Sequence, residues 1–142
     1  MTNPRRQFYS NIVEKRILNK DSSILICGGG LLDKETFLNL GYTNVTLSNL
    51  DTRTSAEKFA PFKWDYQDAQ SLSYNDDSFD YVVIHAAIHH APMPHKVLVE
   101  MYRVSKIGIL AFEARDSFLM KLVTKLNLAQ EYEHAAVFYN DC

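Results

Sequence analysis

Cysteine, proline and glycine are scarce in this chain of 142 residues, which contains 2, 4 and 5 of them. The cysteines, Cys27 and Cys142, stand far apart, one inside an apolar run and one at the terminus. They make neither a disulfide framework nor the close spacing of a metal site. No apolar run approaches the ~20 residues of a membrane helix. The polar, basic opening from Met1 to Arg6 has no apolar segment behind it, unlike a secretory signal. The expectation is a cytoplasmic protein with no membrane partner. Charge of one sign is missing too: 15 Lys and Arg against 17 Asp and Glu leave a formal net charge of −2. Without a dense basic block there is no electrostatic footprint for nucleic acid.

What is present is apolar. Hydrophobic residues make up 46% of the chain and aromatics 12%, enough for a core, and the length suits one domain. Short apolar runs alternate with amphipathic stretches, the pattern of crossover units on a largely parallel sheet. Phe8, Ile12, Ile17 and Leu18 predict a helix over 8–18, and Ile24 to Cys27 a first strand. Asp33 is placed to cap a helix through Phe37 and Leu38, and Gly41 to stop it. Further strands are expected at Val45–Leu47, Phe62–Tyr66, Phe79–Ile84 and Ile107–Phe112. Pro94 opens a helix whose apolar face is read as Val97, Leu98, Met101, Tyr102 and Val104. A last amphipathic helix is expected over Phe118–Leu126.

In such sheets, ligands lie beyond the carboxyl ends of the strands, where the winding reverses. The stretches that matter are Gly28 to Gly30, Asn49 to Asp51, Asp68 with Ala69, and His85 onward. Lacking Cβ, the glycines let backbone pass close to a ligand. The bland reading is a tight strand-to-helix turn. Asn49 or Asp51 suits sugar hydroxyls, or Asp51 caps a helix starting near Thr54. His85, His89, His90 and His95 crowd together, but no matched carboxylates or cysteines complete a metal set, so no metal is expected. Asp80, at the mouth of a buried strand, reads as a structural acceptor of backbone donors. Glu113 and Asp116 either face the site or cap the last helix, with capping favoured.

The run "DAQSLSYNDDSFDYVVIHAAIHHAPMPHKVLVEMYRVSK" resembles the central block of class I S-adenosylmethionine-dependent methyltransferases. Asp68, Ala69, Leu72, Ser78, Phe79, Asp80, Leu98, Met101, Arg103 and Val104 fall at matching places, and the likeness runs from about Ser22 to Ala114. It implies a Rossmann-like, doubly wound α/β fold, a mostly parallel sheet with helices on both faces. The closing antiparallel hairpin of the full family fold is expected to be lacking, the chain ending soon after a fifth strand. Residues 1–142 then form one domain: an N-terminal helix in 1–21, a cofactor-binding core in 22–114, and a C-terminal helix and tail in 115–142.

The resemblance implies S-adenosylmethionine as cofactor and a small-molecule methyl acceptor as partner. The cofactor-binding candidates are Cys27, Gly28, Gly29, Gly30, Asn49, Asp51, Asp68, Ala69 and His85. By the same resemblance, Asp68 accepts from the adenine amine while the Ala69 N–H donates to a ring nitrogen. His85 is the first candidate for moving a proton from the acceptor, because methyl transfer otherwise needs chiefly alignment. The chain departs from the pattern at Ile26, where the family carries an acid, at Leu32, where it has a third glycine, and at Asn49 in place of an acid. Ile26 at that position and the expected lack of the closing hairpin keep open a non-catalytic methyltransferase-like binding or assembly module. A nicotinamide oxidoreductase is a weaker reading, since "GGGLLDK" has Asp33 where the last spaced glycine belongs. An uncovered sheet edge invites pairing, so a homo-oligomer through that edge is a further expectation.

Overall fold

The structure is a computed structural model that describes residues 4–113. Its elements run α1 (Pro4–Arg16), β1 (Ile24–Cys27), α2 (Leu31–Asn39), β2 (Val45–Asn49), α3 (Ala56–Phe59), β3 (Lys63–Tyr66), β4 (Phe79–His85), a 3₁₀ turn (Ile88–His90), α4 (Pro94–Val104) and β5 (Ser105–Phe112). The five strands form one sheet in the order β3-β2-β1-β4-β5. Every neighbouring pair is parallel, as a Rossmann-like fold requires. The winding reverses between β1 and β4, which are hydrogen-bonded neighbours far apart in sequence.

Alternation along the strands builds two cores. Ile24 and Ile26 of β1 join Leu47 and Val83 on one face, under Tyr9 and Val13 of α1, Ile17 just past it and Phe37 of α2. Leu25 and Cys27 join Val82 and Ile84 on the other, under Val97, Met101 and Val104 of α4 and Leu72 of the β3–β4 loop. All four residues of β1 are buried, as expected of a central parallel strand covered on both faces. The edge strand β3 is only partly covered.

Several elements differ from their sequence expectation. α1 runs from Pro4 to Arg16 and turns Tyr9 and Val13 inward; Ile17 beyond it is buried, while Phe8 and Leu18 are exposed. Asp33 is not the cap of α2. Gly30 is, and Asp33, three residues on, accepts the Gly30 N–H. β3 starts one residue later than expected, β2 and β4 run on to Asn49 and His85, and β5 starts earlier, at Ser105. Pro94 does open α4, but Leu98 and Tyr102 are exposed. The helix after β2 is capped at Ser55, not at Asp51. The expected helix at Phe118–Leu126, with Asp116 and Cys142, lies outside the described residues.

Polar bonds fasten the loops to this frame. Asp80 accepts both the backbone N–H and the hydroxyl of Ser23, at 2.8 and 3.0 Å, tying the mouth of β4 to that of β1. Arg103 of α4 donates to the carbonyls of Leu72 and Tyr74 and to the carboxylates of Asp76 and Glu100. Glu100 accepts the Leu72 N–H in return. The Arg103 guanidinium holds the Glu100 carboxyl below its ordinary range. The long loop between β3 and β4 is therefore laced to one helix. Among the described residues no helix is long and apolar enough to cross a membrane.

Candidate functional site

At the reversal point β1 ends in Cys27 and leads into Gly28, Gly29 and Gly30. Gly28 has φ of +63°, a backbone conformation that side chains strain to adopt. A Cβ on Gly28 would also lie 2.6 Å from the Ala87 Cβ. The glycine is thus required where the β1 loop touches the segment after β4. A Cβ on Gly29 would stand 3.0 Å from Leu47 and 3.2 Å from Ile26, so that loop is pressed onto the sheet. Gly30 is roomier, its nearest neighbour being Asp33 at 3.9 Å. The Cys27 side chain is buried, and burial pushes its thiol up to about 12, which removes it as a nucleophile near neutrality.

Asn49, at the end of β2, uses both arms of its amide. Its Nδ2 donates to the Gly29 carbonyl at 2.8 Å, and its Oδ1 accepts the Asp51 N–H at 3.0 Å. The Gln67 N–H reaches the Asn49 carbonyl at 3.3 Å, so the exits of β1, β2 and β3 are joined in a row. The Asp51 carboxylate is gripped by Arg53, which donates its Nε at 2.7 Å and its Nη2 at 3.0 Å. These hydrogen bonds lower the Asp51 carboxyl to about 2.

Asp68 follows β3 in a turn closed by the N–H of Gln70, 2.9 Å from Asp68 Oδ1. The side chain of Gln70 reaches on to accept the Met93 N–H at 2.9 Å. Ala69 and Ala87 pack against the same buried cluster, under α4. Gly28, Asn49, Gln67, the Asp68–Ala69 turn and Ala87 therefore succeed one another around the carboxyl ends of β1 to β4. The structure brings the sequence candidates to one end of the sheet, with Asp51 two residues past Asn49 and Asp68 one past Gln67.

His85, the last residue of β4, takes a different setting. Its ring stacks on Tyr9, with centroids 4.2 Å apart, and meets Phe112 edge-on. Its Nδ1 lies 3.7 Å from Asp33 Oδ1, and its side chain is 10% exposed. Tyr9 donates to that same oxygen at 2.8 Å, so Asp33 serves both α1 and the Gly30 N–H. Burial, and then the charge of Asp33, push the Tyr9 hydroxyl well above its ordinary value. Neither Tyr9 nor Asp33 stood out as a site residue in the sequence. The acid three residues after Gly30 was the available signal.

The segment after β4 turns at Ala86, whose φ of +51° is unusual for a residue with a side chain and costs on the order of 1–3 kcal/mol. The Ala86 N–H meets the Phe112 carbonyl at 2.7 Å. Glu113, just past β5, accepts the N–H groups of Ala87 and Ile88, both at 2.8 Å, and contacts His89 Nδ1 at 2.7 Å. It caps this turn; the last helix, which it was expected to cap, lies outside the described residues. Among the described residues no three His, Cys, Asp or Glu side chains are placed to hold a metal ion. His85 and His89 have separate carboxylate partners, and the His89 and His90 rings lie tilted at 42°.

Comparison with known proteins gives the same frame. The profile of the family described as methyltransferase domain matches residues 26–112. No curated protein sequence matches the chain. Among solved structures, a Pyrococcus horikoshii protein superimposes with a TM-score of 0.69 at 20% identity, covering 89% of this chain and 63% of that one. A Bacillus halodurans protein described as a methyltransferase gives 0.65 at 19%, covering 82% and 56%. A Thermotoga maritima SAM-dependent methyltransferase gives 0.62 at 23%, covering 93% and 61%. At these identities the likeness is one of fold, and the match spans under two thirds of each of those chains.

Two outcomes are expected. Gly28→Ala should lose about 1–3 kcal/mol to backbone strain alone and more to the Ala87 contact. Gly41→Ala, also at positive φ but with open space around it, should lose less in the same urea titration. Equal losses contradict the loop contact. Arg53→Ala should return the Asp51 carboxyl from about 2 toward 3.8, read by NMR titration, and a value that stays low contradicts the pairing.

Proposed function

This chain belongs to the class I methyltransferase domain family, and on that premise we propose that it binds S-adenosylmethionine and transfers its methyl group to a small-molecule acceptor. The observation that carries the reading is the row of strand exits, with the Gly28–Gly30 backbone after β1, Asp51 after β2 and Asp68 after β3.

The residues present fit an adenosyl group. A carboxylate offers about four lone-pair sites. Among the described residues, Asp51 Oδ2 accepts one bond, from Arg53, and Asp68 Oδ2 has the Gln70 amide at 3.4 Å. Asp51 accepts from a ribose hydroxyl in this reading, while Asp68 accepts from the adenine amine and the Ala69 N–H donates to the ring. Gly28 to Gly30 supply close backbone approach. Asn49 acts through position, because its amide holds the glycine loop to the exit of β2. When bound, the cofactor supplies an electrophilic methyl carbon, so the protein's remaining task is to align the acceptor and shed its proton.

A specific observation favours a second reading, a binding module without turnover. Ile26, at the family's acidic position, is fully buried in the core, and the nearby Asp33 already accepts from Tyr9 and Gly30. Among the described residues, the methionine end of the cofactor then has no dedicated carboxylate at that position.

Calorimetry with S-adenosylmethionine and S-adenosylhomocysteine tests the reading. Asp68→Asn keeps an oxygen for the Gln70 N–H and turns the other acceptor into a donor. It should weaken binding about tenfold, or about 1.4 kcal/mol. Failure of the unaltered chain to bind either compound contradicts the proposal. Transfer of a labelled methyl group to a pool of small alcohols, phenols and amines separates an enzyme from a binder.

A further inference from the structure

We infer that the buried Asp33 carboxylate sets ligand preference at this site by its charge, favouring the cationic methyl donor over the neutral product left after transfer. The inference rests on the reading above, that the glycine loop holds an adenosyl cofactor, and names the state of that cofactor which the chain prefers.

Among the described residues Asp33 is the one carboxylate that lies buried, at 5% exposure. Its donors are neutral. The Tyr9 hydroxyl bonds Oδ1 at 2.8 Å, and the Gly30 N–H bonds Oδ2 at 2.9 Å. His85 Nδ1 stands 3.7 Å from Oδ1, beyond hydrogen-bond reach, and balances the charge only when its ring is protonated. Two cations of the adjoining helices are engaged elsewhere: Arg6 pairs with Glu35, and Lys34 reaches the Lys58 carbonyl. The first turn of α2 offsets about half a charge. A net negative charge therefore sits behind the loop, where little water screens it.

The placement suits the task. Asp33 grips Gly30, in the loop after β1, and lies beside His85, the last residue of β4. These two strands flank the line where the winding reverses, which is where a sheet of this kind takes its ligand. Ile26 brings no charge to the position where the family carries an acid, so Asp33 is the acid that stands against this loop.

S-adenosylmethionine carries a positive sulfonium. In the transfer the acceptor bonds to the methyl carbon as the carbon–sulfur bond breaks, and the electron pair stays on sulfur, so the product is a neutral thioether. Adenine, ribose and the methionine tail are the same in both compounds. A field from Asp33 separates the two, while a hydrogen bond to the shared parts does not. Two unit charges about 12 Å apart, at an effective dielectric of about 20, shift an equilibrium about tenfold. Asp33 acts across the loop by its charge and not by contact, which makes it a specificity-determining residue.

Calorimetry at about pH 8, above the ordinary imidazole range, measures both compounds against the unaltered chain, Asp33→Asn and Tyr9→Phe. Asparagine keeps the shape: its oxygen can accept the Gly30 N–H, and its amide can donate to a turned Tyr9 hydroxyl. Asp33→Asn should weaken S-adenosylmethionine about tenfold more than S-adenosylhomocysteine. Where that variant fails to fold, Asp33→Ser carries the same expectation. Tyr9→Phe removes a donor but keeps the charge, so the preference for the sulfonium should hold even if both affinities fall. Equal losses of the two compounds in the neutral Asp33 variants leave the residue a brace for the loop and overturn the inference. A tenfold loss of preference in Tyr9→Phe overturns it as well. Binding of neither compound by the unaltered chain overturns the preceding reading and this one with it, whereas binding of both with an unchanged ratio in Asp33→Asn overturns this one alone.

Discussion

Where a side chain on Gly28 would project, the methyl group of Ala87 already stands 2.6 Å away. That missing Cβ lets the loop after β1 and the segment after β4 lie against each other, across the line where the winding of the sheet reverses. The other exits arrange themselves around this contact. Asn49 ties the glycine loop to β2, Gln67 ties β2 to the start of the Asp68 turn, and Gln70 ties that turn back to Met93. Bonds that follow one another around the strand ends constrain each loop from two sides, which is how irregular backbone holds a defined shape.

The frame beneath is apolar and two-faced. Ile24 and Ile26 face α1 and α2, while Leu25 and Cys27 face α4, so a shift of one residue in β1 would exchange the two cores. Asp33 joins α1, through Tyr9, to the Gly30 N–H, and the Tyr9 ring lies on His85. α1 is thereby coupled to the glycine loop and to the end of β4. On the opposite face, Arg103 and Glu100 lace the β3–β4 loop to α4. Each side of the site is held by a helix through a buried or half-buried carboxylate.

Much of this was legible in the sequence wherever the cause is local. β1 stands at Ile24–Cys27 as read, since four apolar residues ahead of a glycine turn leave little choice. Pro94 opens α4 because its ring presets the first helical turn and its absent N–H is not missed there. The five-stranded, parallel sheet and the placing of Gly28, Asn49, Asp51 and Asp68 at the strand ends followed from the crossover pattern. The phase of α1 did not, because a buried Tyr9 depends on Asp33, 24 residues away. Glu113 capping the turn of His89 and Gln70 holding Met93 are likewise pairings across 24 and 23 residues, with no trace in local spacing. Asp51 shows the reverse case, a local partner two residues on that hydropathy patterning does not register.

The claim on which the account depends is that the exits of β1, β2 and β3 serve one adenosyl group. Titration of nitrogen-15-labelled protein with S-adenosylhomocysteine, followed through its amide signals, tests this most directly. The account predicts that the signals of Gly28, Gly29, Gly30, Asp51, Asp68 and Ala69 move together along a single binding curve. Movement confined to the outer edge of β5, or separate curves for the glycine loop and the Asp68 turn, would contradict it.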